Sequence, residues 1–198
     1  MAVVSRCALV LSAVTFLSSS AGAQSLQKYS IQVSGLYASL FGDAYSGVSG
    51  GVGAEGQLRV NTTTGWSFGA GVQYTTHSLE GVTEKMSLLG PFFEPRYAFV
   101  LGKREDIFPY LSGRFSILQQ RLSVSGVTGT TSGTTLNGGG GVLVPLGTRV
   151  NLDAGATYGY TTFGEITLTD KSNGQSLTTG KGGSGSNIVV RVGLAIGL

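Results

Sequence analysis

The sequence predicts an all-β protein: an eight-stranded, antiparallel, up-and-down transmembrane β-barrel. Three observations lead there. Glycine supplies 33 of the 198 residues and only 12% are charged, against about 7% Gly and about 25% charged residues in an average soluble protein. Apolar residues alternate with small or polar ones through most of the chain, the period of a half-buried strand. Beyond residue 23 there is no run of 18 apolar residues, so no helix is expected to cross a membrane, and a closed β-barrel is the other structure that satisfies its backbone in lipid. Disorder is excluded by the 41% hydrophobic content. Collagen is excluded by four prolines and no three-residue Gly period. A mostly helical protein is disfavoured because each interior Gly costs a helix about 1 kcal/mol relative to Ala. A mean hydropathy of +0.22 fits a surface that meets little water.

The first 23 residues read as an address. Arg6 is basic, Cys7 to Leu17 is a weakly polar-to-apolar run, and Ser18–Ser20 lead to Ala21-Gly22-Ala23. This is the layout of a secretory signal peptide cleaved after Ala23, and its apolar run is too short for a membrane helix. Residues 1–23 are therefore expected to be a signal peptide and 24–198 a single barrel domain. Cys7 lies in the leader, far from the cleavage point that a lipoprotein would mark with Cys. The exported chain then has no Cys and no disulfide. Losing Arg6 lowers the net charge from +3 to +2, which favours neither nucleic acid nor an acidic partner.

Eight strands follow in order. Tyr29, Ile31, Val33, Gly35 and Tyr37 alternate with Ser30, Gln32 and Ser34. Val48 to Val60 alternate with Ser49 to Asn61, a face that includes Glu55 and Arg59. After a polar turn at Asn61–Gly65, Trp66, Phe68, Ala70, Val72 and Tyr74 oppose Ser67, Gly69, Gly71, Gln73 and Thr75. The fourth strand runs from Met86 to Val100, with Phe93, Tyr97 and Phe99 opposite Glu94 and Arg96. In the fifth, Leu111, Phe115 and Ile117 oppose Ser112, Arg114 and Ser116; in the sixth, Leu136, Val142 and Val144 oppose Asn137 and its glycines. The seventh sets Val150, Leu152, Ala154, Tyr158 and Tyr160 against Asn151, Asp153, Gly155 and Thr157. The eighth sets Ile188, Val190, Val192, Leu194, Ile196 and Leu198 against Arg191, Gly193 and Ala195. Pro91 and Pro95 fall inside the fourth strand, where a closed sheet has no free edge, so a bulge or a late strand start is expected there. Connections at Asn61–Gly65, Leu101–Asp106 and Pro145–Thr148 are short; those at Thr76–Lys85, Arg121–Gly133 and Gly164–Ser186 are longer and are expected to be polar, mobile loops.

Period two does not say which face is inside, but composition does. A soluble lipocalin-like carrier would present many Lys and Glu on its water-facing side. Here the polar face is Gly, Ser, Thr, Asn and Gln, and no Lys lies within an expected strand. The strand charges are Glu55, Glu94 and Asp153 with Arg59, Arg96, Arg114 and Arg191. Three acids and four arginines on one face are expected to pair within a narrow lumen, since the planar guanidinium holds carboxylates bidentately. Two aromatic girdles are expected, Tyr29, Trp66, Tyr97, Phe99, Phe108 and Tyr110 toward the short turns and Tyr74, Phe92, Phe93, Tyr158, Tyr160 and Phe163 toward the loops.

The chain ends Arg191-Val192-Gly193-Leu194-Ala195-Ile196-Gly197-Leu198. This looks like the assembly β-signal of outer-membrane proteins, carried here by Arg191, Gly193, Ile196 and Leu198, with Leu where the bacterial pattern usually ends in Phe. With the leader and the strand count, the chain resembles the small OmpA/OmpX-type outer-membrane β-barrels, without a periplasmic domain. The resemblance implies an outer-membrane location, short turns and both termini on the periplasmic side, and recognition of the last strand by barrel-assembly machinery. Outer-membrane lipid and lipopolysaccharide are the expected surroundings, and a monomer is expected. No nucleic-acid partner is expected, and the sequence identifies no partner for the loops.

Chemistry is sparse. His77 is the single His and neighbours Ser78 and Glu80, but adjacent strand residues face opposite ways, so a lipid-modifying enzyme stays an alternative that needs a loop geometry. One His and no Cys in the exported chain give no metal set, and Gly138–Gly141 lies in a strand without the Lys-Ser/Thr of a phosphate loop. No cofactor is expected. An eight-stranded lumen is just filled by side chains, so an open pore is not expected and a narrow conductance is the second alternative. The expected role is a non-enzymatic envelope or surface-interaction protein. Electrophoresis of detergent-extracted protein with and without boiling tests the barrel: its mobility shifts on boiling and it fractionates with the outer membrane, whereas recovery as a soluble periplasmic protein without a shift overturns the reading.

Overall fold

A strand whose one face is apolar and whose other is polar can bury the polar face only if the sheet closes on itself. The computed structural model describes residues 27–81, 83–99, 107–124, 127–170, 172 and 174–198, and in them the sheet does close. The strands are β1 (Tyr29–Phe41), β2 (Val48–Asn61), β3 (Trp66–Leu79), β4 (Lys85–Ala98), β5 (Phe108–Val124), β6 (Val127–Pro145), β7 (Val150–Asp170), the short β8 (Ser176–Lys181) and β9 (Ser184–Gly197). Every pairing is antiparallel, and β9 returns to pair with both β7 and β1, so eight staves form the barrel and β8 stands outside it as a partner of β7. The expected signal peptide and the Leu101–Asp106 turn lie outside the described residues.

The register fixes the barrel's shape. Paired residues lead from Ile31 through Leu58, Ala70, Phe93, Phe115, Leu136, Tyr160 and Ser186 back to β1 at Phe41, ten residues further on. With a strand rise of ~3.3 Å and a spacing of ~4.8 Å, that stagger tilts the strands by about 40°. All eight lie on the outward face, and Ser186, toward the projecting end, is the one polar residue among them. Among the described residues 31 large apolar side chains are exposed and only 12 hydrophobic ones are buried. Leu58, Leu111 and Leu136 are each at least 60% exposed while Glu94 and Asp153 are 0% exposed. Polar inside and apolar outside is the arrangement for lipid, where hydrocarbon covers the outer face and the strands satisfy one another's backbone.

The prolines of β4 sit in an unbroken register. Val72 faces Pro91 and Phe68 faces Pro95 in the β3 ladder, while on the β5 side the pairs at 90, 91, 94 and 95 are missing between otherwise aligned neighbours. No bulge occurs here, and β4 begins at Lys85, six residues before Pro91. In an antiparallel strand alternate residues bond alternate neighbours, so two prolines four apart lose their N–H on the same side. Gly90 lets β5 come close at the first gap, since a Cβ there would collide with the Ile117 carbonyl. At the second gap Glu94 lies opposite Arg114, and an ion pair joins the strands in place of the backbone pairing.

The longer connections are mostly strand. β5 and β6 stay paired out to Val124 and Val127, and Gly164–Ser186 folds into the β7–β8 hairpin, with a bulge near Gly133 against β6. Thr76–Lys85 is likewise strand to Leu79, with only residues 80–84 between β3 and β4. Their Thr-rich composition favours extended backbone, but both faces are polar because both lie beyond the lipid, which erases the alternation that marks the barrel proper. Lys85 and Lys181 lie at the ends of β4 and β8, outside the apolar band. The aromatic positions also divide by face. Tyr29, Trp66, Tyr97 and Phe99 are exposed toward the short turns, and Tyr74, Phe93, Tyr158 and Tyr160 are exposed further along the strands, but Phe92, Tyr110 and Phe163 point inward and are buried, because they occupy the inward parity of their strands. Gly90→Val places a side chain against β5 where no slack exists, and is expected to lower stability by about 1–3 kcal/mol, read as an earlier urea unfolding midpoint in detergent micelles.

Candidate functional site

Two features could carry function: the filled lumen and the hairpin sheet that projects from one end. Tilt and narrowness turn every second residue of eight strands toward one axis, so inward charges cannot avoid one another. The structure brings Glu55 and Arg59 of β2, Glu94 and Arg96 of β4, Arg114 of β5, Asp153 of β7 and Arg191 of β9 into one buried cluster. Glu94 is the hub. Its Oε1 accepts from Arg59 Nη2 at 3.2 Å, from Arg191 Nη2 at 3.1 Å and from Arg96 Nε. Its Oε2 accepts from Arg191 Nη1 at 2.7 Å and Arg114 Nε at 2.6 Å. Arg114 also grips both oxygens of Glu55, at 2.5 and 3.2 Å. Arg96 reaches Asp153, whose other oxygen accepts from the Tyr110 hydroxyl at 2.6 Å.

Apolar and neutral groups hold this cluster in shape. The Arg96 guanidinium lies 4.5 Å from the Tyr110 ring centre and that of Arg114 lies 4.0 Å from Phe92, contacts that a planar cation makes well. Arg59 donates further to Gln57 Oε1 and Ser67 Oγ, at 2.8 and 3.0 Å. Glycines make the room: a Cβ on Gly141 or on Gly155 would come within 2.5 Å of the Tyr110 hydroxyl. Within the Gly138–Gly141 run, Gly141 is thus space for a tyrosine. Buried ion pairs repay their desolvation only with good geometry and further hydrogen bonds, and the bidentate contacts supply both.

The lumen changes character toward the projecting end. Leu40, Tyr45, Met86, Leu88 and Phe163 form an apolar cluster there, with Tyr45 on a 3-10 turn (Asp43–Tyr45) and its ring edge-on to Phe163 at 5.7 Å. Sequence alternation does not reveal this plug, because Leu36, Ala38 and Leu40 are apolar residues on the inward parity of β1. Cavities of about 20 Å³ lie on either side of the charge cluster, room for about one water each.

His77 is 1% exposed and points inward, its ring nitrogens near Ser49 O at 3.2 Å and Thr75 Oγ1 at 3.0 Å. Ser78 is exposed on the opposite face, so the two do not form a nucleophile–base pair. Among the described residues no group of His, Cys, Asp or Glu could hold a metal ion. In β9, Arg191 belongs to the charge cluster, Gly193 packs against Val33 and Ser34, Ile196 pairs with Ile31 and Val150, and the Leu198 N–H donates to Tyr29 O at 2.9 Å.

The hairpin sheet is made of the outer parts of β5, β6 and β7 with β8. β5, β6 and β7 hold 17, 19 and 21 residues, whereas a barrel strand needs about 9–11 to cross a membrane. At the measured stagger, β6 carries the sheet about 20 Å beyond an apolar band of ~25 Å. Its outward face turns polar past Ile117, Leu136 and Tyr160, with Gln119, Thr134 and Thr162 next in line. The tip is fixed by Asp170, whose Oδ1 accepts from the Ser172 N–H at 2.8 Å and the Ser172 hydroxyl at 2.7 Å. Those bonds hold its carboxyl below the usual aspartate range. Among the described residues β8 pairs with β7 alone, and all six of its residues are exposed.

No protein-family model and no curated protein sequence matches the chain. Solved structures do. Neisserial surface protein A is similar over 86% of this chain and 97% of its own, with a TM-score of 0.57 and 16% identity. The attachment invasion locus protein Ail of Yersinia pestis is similar over 87% and 99%, at 0.54 and 13%. The outer membrane protein OprG of Pseudomonas aeruginosa is similar over 88% and 98%, at 0.54 and 12%. The chain has the fold of the small eight-stranded outer-membrane barrels. Glu94→Gln leaves four guanidinium groups around a neutral amide and is expected to cost about 3–5 kcal/mol, measured as the shift in urea unfolding of the refolded barrel; a shift under 1 kcal/mol would remove Glu94 from the centre of the lumen's stability.

Proposed function

We propose that this chain is a non-enzymatic outer-membrane surface protein, anchored by a solid barrel, that offers the edge of its projecting hairpin sheet to an extended segment of an external polypeptide. The observation that carries the reading is β8: six exposed residues, hydrogen-bonded along one side only, standing beyond the apolar band. An open strand edge presents a row of N–H and C=O groups to any extended chain that adds to the sheet. Leu177, 66% exposed, offers an apolar contact on that edge, and Lys181 its one charge. The barrel supports an anchoring role because an ionic and an apolar cluster occupy its interior and its exterior suits lipid.

In this reading the projecting end faces outward among lipopolysaccharide, and the short turns and both chain ends face the periplasm. The leader of residues 1–23 directs export, and assembly machinery takes up the last strand through Arg191, Gly193, Ile196 and Leu198. The protein acts as a monomer. Outer-membrane neighbours in fold, one of them named for attachment and invasion, support the location and the surface role.

The test replaces residues 166–181 with an Asn-Gly turn, which removes β8 and leaves the β7–β9 seam of the barrel. Extended peptides selected from a library on the folded protein in nanodiscs are expected to lose at least about tenfold in affinity for the variant, about 1.4 kcal/mol, while its shift on boiling persists. Peptides that bind both forms equally would overturn the edge reading.

A further inference from the structure

The charge cluster does not balance. Among the described residues the buried lumen holds three carboxylates, Glu55, Glu94 and Asp153, against four guanidinium groups. Arginine does not shed its proton in proteins, so one positive charge is uncompensated in an interior ringed by strands and hydrocarbon. An isolated buried charge is among the costliest things a fold can hold. The four guanidinium groups share Glu94, so the arginines also repel one another.

Two of the buried donors without a partner, Arg59 Nε and Arg96 Nη2, belong to residues that line one cavity. The cavity toward the short turns, about 20 Å³, is lined by Ser30, Gln32, Arg59, Asn61, Arg96 and Asn151 among others, and none of its lining residues is acidic. Arg59 and Arg96 are 4% and 2% exposed. Gln32 Oε1 is a buried acceptor without a partner; with its amide turned over, Oε1 accepts from the Ser34 hydroxyl and Nε2 becomes a third donor. We propose that this cavity binds one small monovalent anion of the halide class, chloride in ordinary salt, which completes the charge balance of the lumen. A water molecule would satisfy the N–H groups and leave the charge. Sulfate or phosphate would overfill the space and overshoot the balance, and a cation has the wrong sign.

Two measurements test this on the full barrel in detergent. Crystals grown in sodium bromide should show an anomalous peak in this cavity, within hydrogen-bonding reach of Arg96 Nη2. The temperature at which the compact electrophoretic form is lost should rise by several degrees in chloride relative to gluconate at matched ionic strength. In Gln32→Glu, which supplies the missing charge from the cavity wall, that temperature should no longer depend on the anion and the bromide peak should vanish. A cavity holding only water in bromide crystals, or a Gln32→Glu protein that keeps both the peak and the anion dependence, overturns the proposal. Should the variant fail to fold, the bromide map of the unaltered protein decides alone.

Discussion

Four guanidinium groups share one carboxylate, and much of this structure follows from giving them somewhere to meet. Glu94 can be reached from β2, β4, β5 and β9 only because eight strands with a stagger of ten residues leave a lumen one side chain wide. The ion pairs are a consequence of that confinement, and they return the favour by tying non-adjacent staves across the axis. At Pro95, where the backbone ladder between β4 and β5 lapses, the Glu94–Arg114 pair is the link that remains. Glycine complements arginine at two places: beside Arg59 and Arg191 the neighbouring strand carries Gly69 and Gly155, where a side chain would collide.

Legibility in the sequence tracked physical simplicity. The face of nearly every barrel strand could be read because one side must be apolar and the other must not, and the seven charges of the membrane-spanning parts, from Glu55 to Arg191, sit on the face that composition marked as inward. What was hidden obeyed a second rule superimposed on the first. Tyr110, Phe92 and Phe163 read as girdle residues by their type, but their parity sends them inward, where they stack on arginines or close the outer end. The hairpin extensions read as loops because strands in water on both sides have no reason to alternate. The prolines read as a flaw because position alone does not tell which neighbour loses its bond.

The lumen is therefore two materials in series. An apolar plug of Leu40, Tyr45, Met86, Leu88 and Phe163 lies toward the projecting sheet, and ionic groups occupy the middle. An apolar layer has no use for water, and an ionic layer organises whatever polar species remains. Together they fill the described lumen beneath a sheet that reaches about 20 Å beyond the band.

The seam between β1 and β9 has an implication for how the molecule comes into being. It joins Ile31 to Ile196, the two ends of the described chain, through twelve paired residues. Arg191, which reaches across to Glu94 97 residues away, arrives on that same last strand. Until the final segment docks, the growing sheet keeps two raw edges and an electrically incomplete interior, and the loop to be closed is as long as the barrel permits, where the entropic cost is greatest. Closure thus waits on β9, the strand whose pairing with both β1 and β7 makes a ribbon into a vessel.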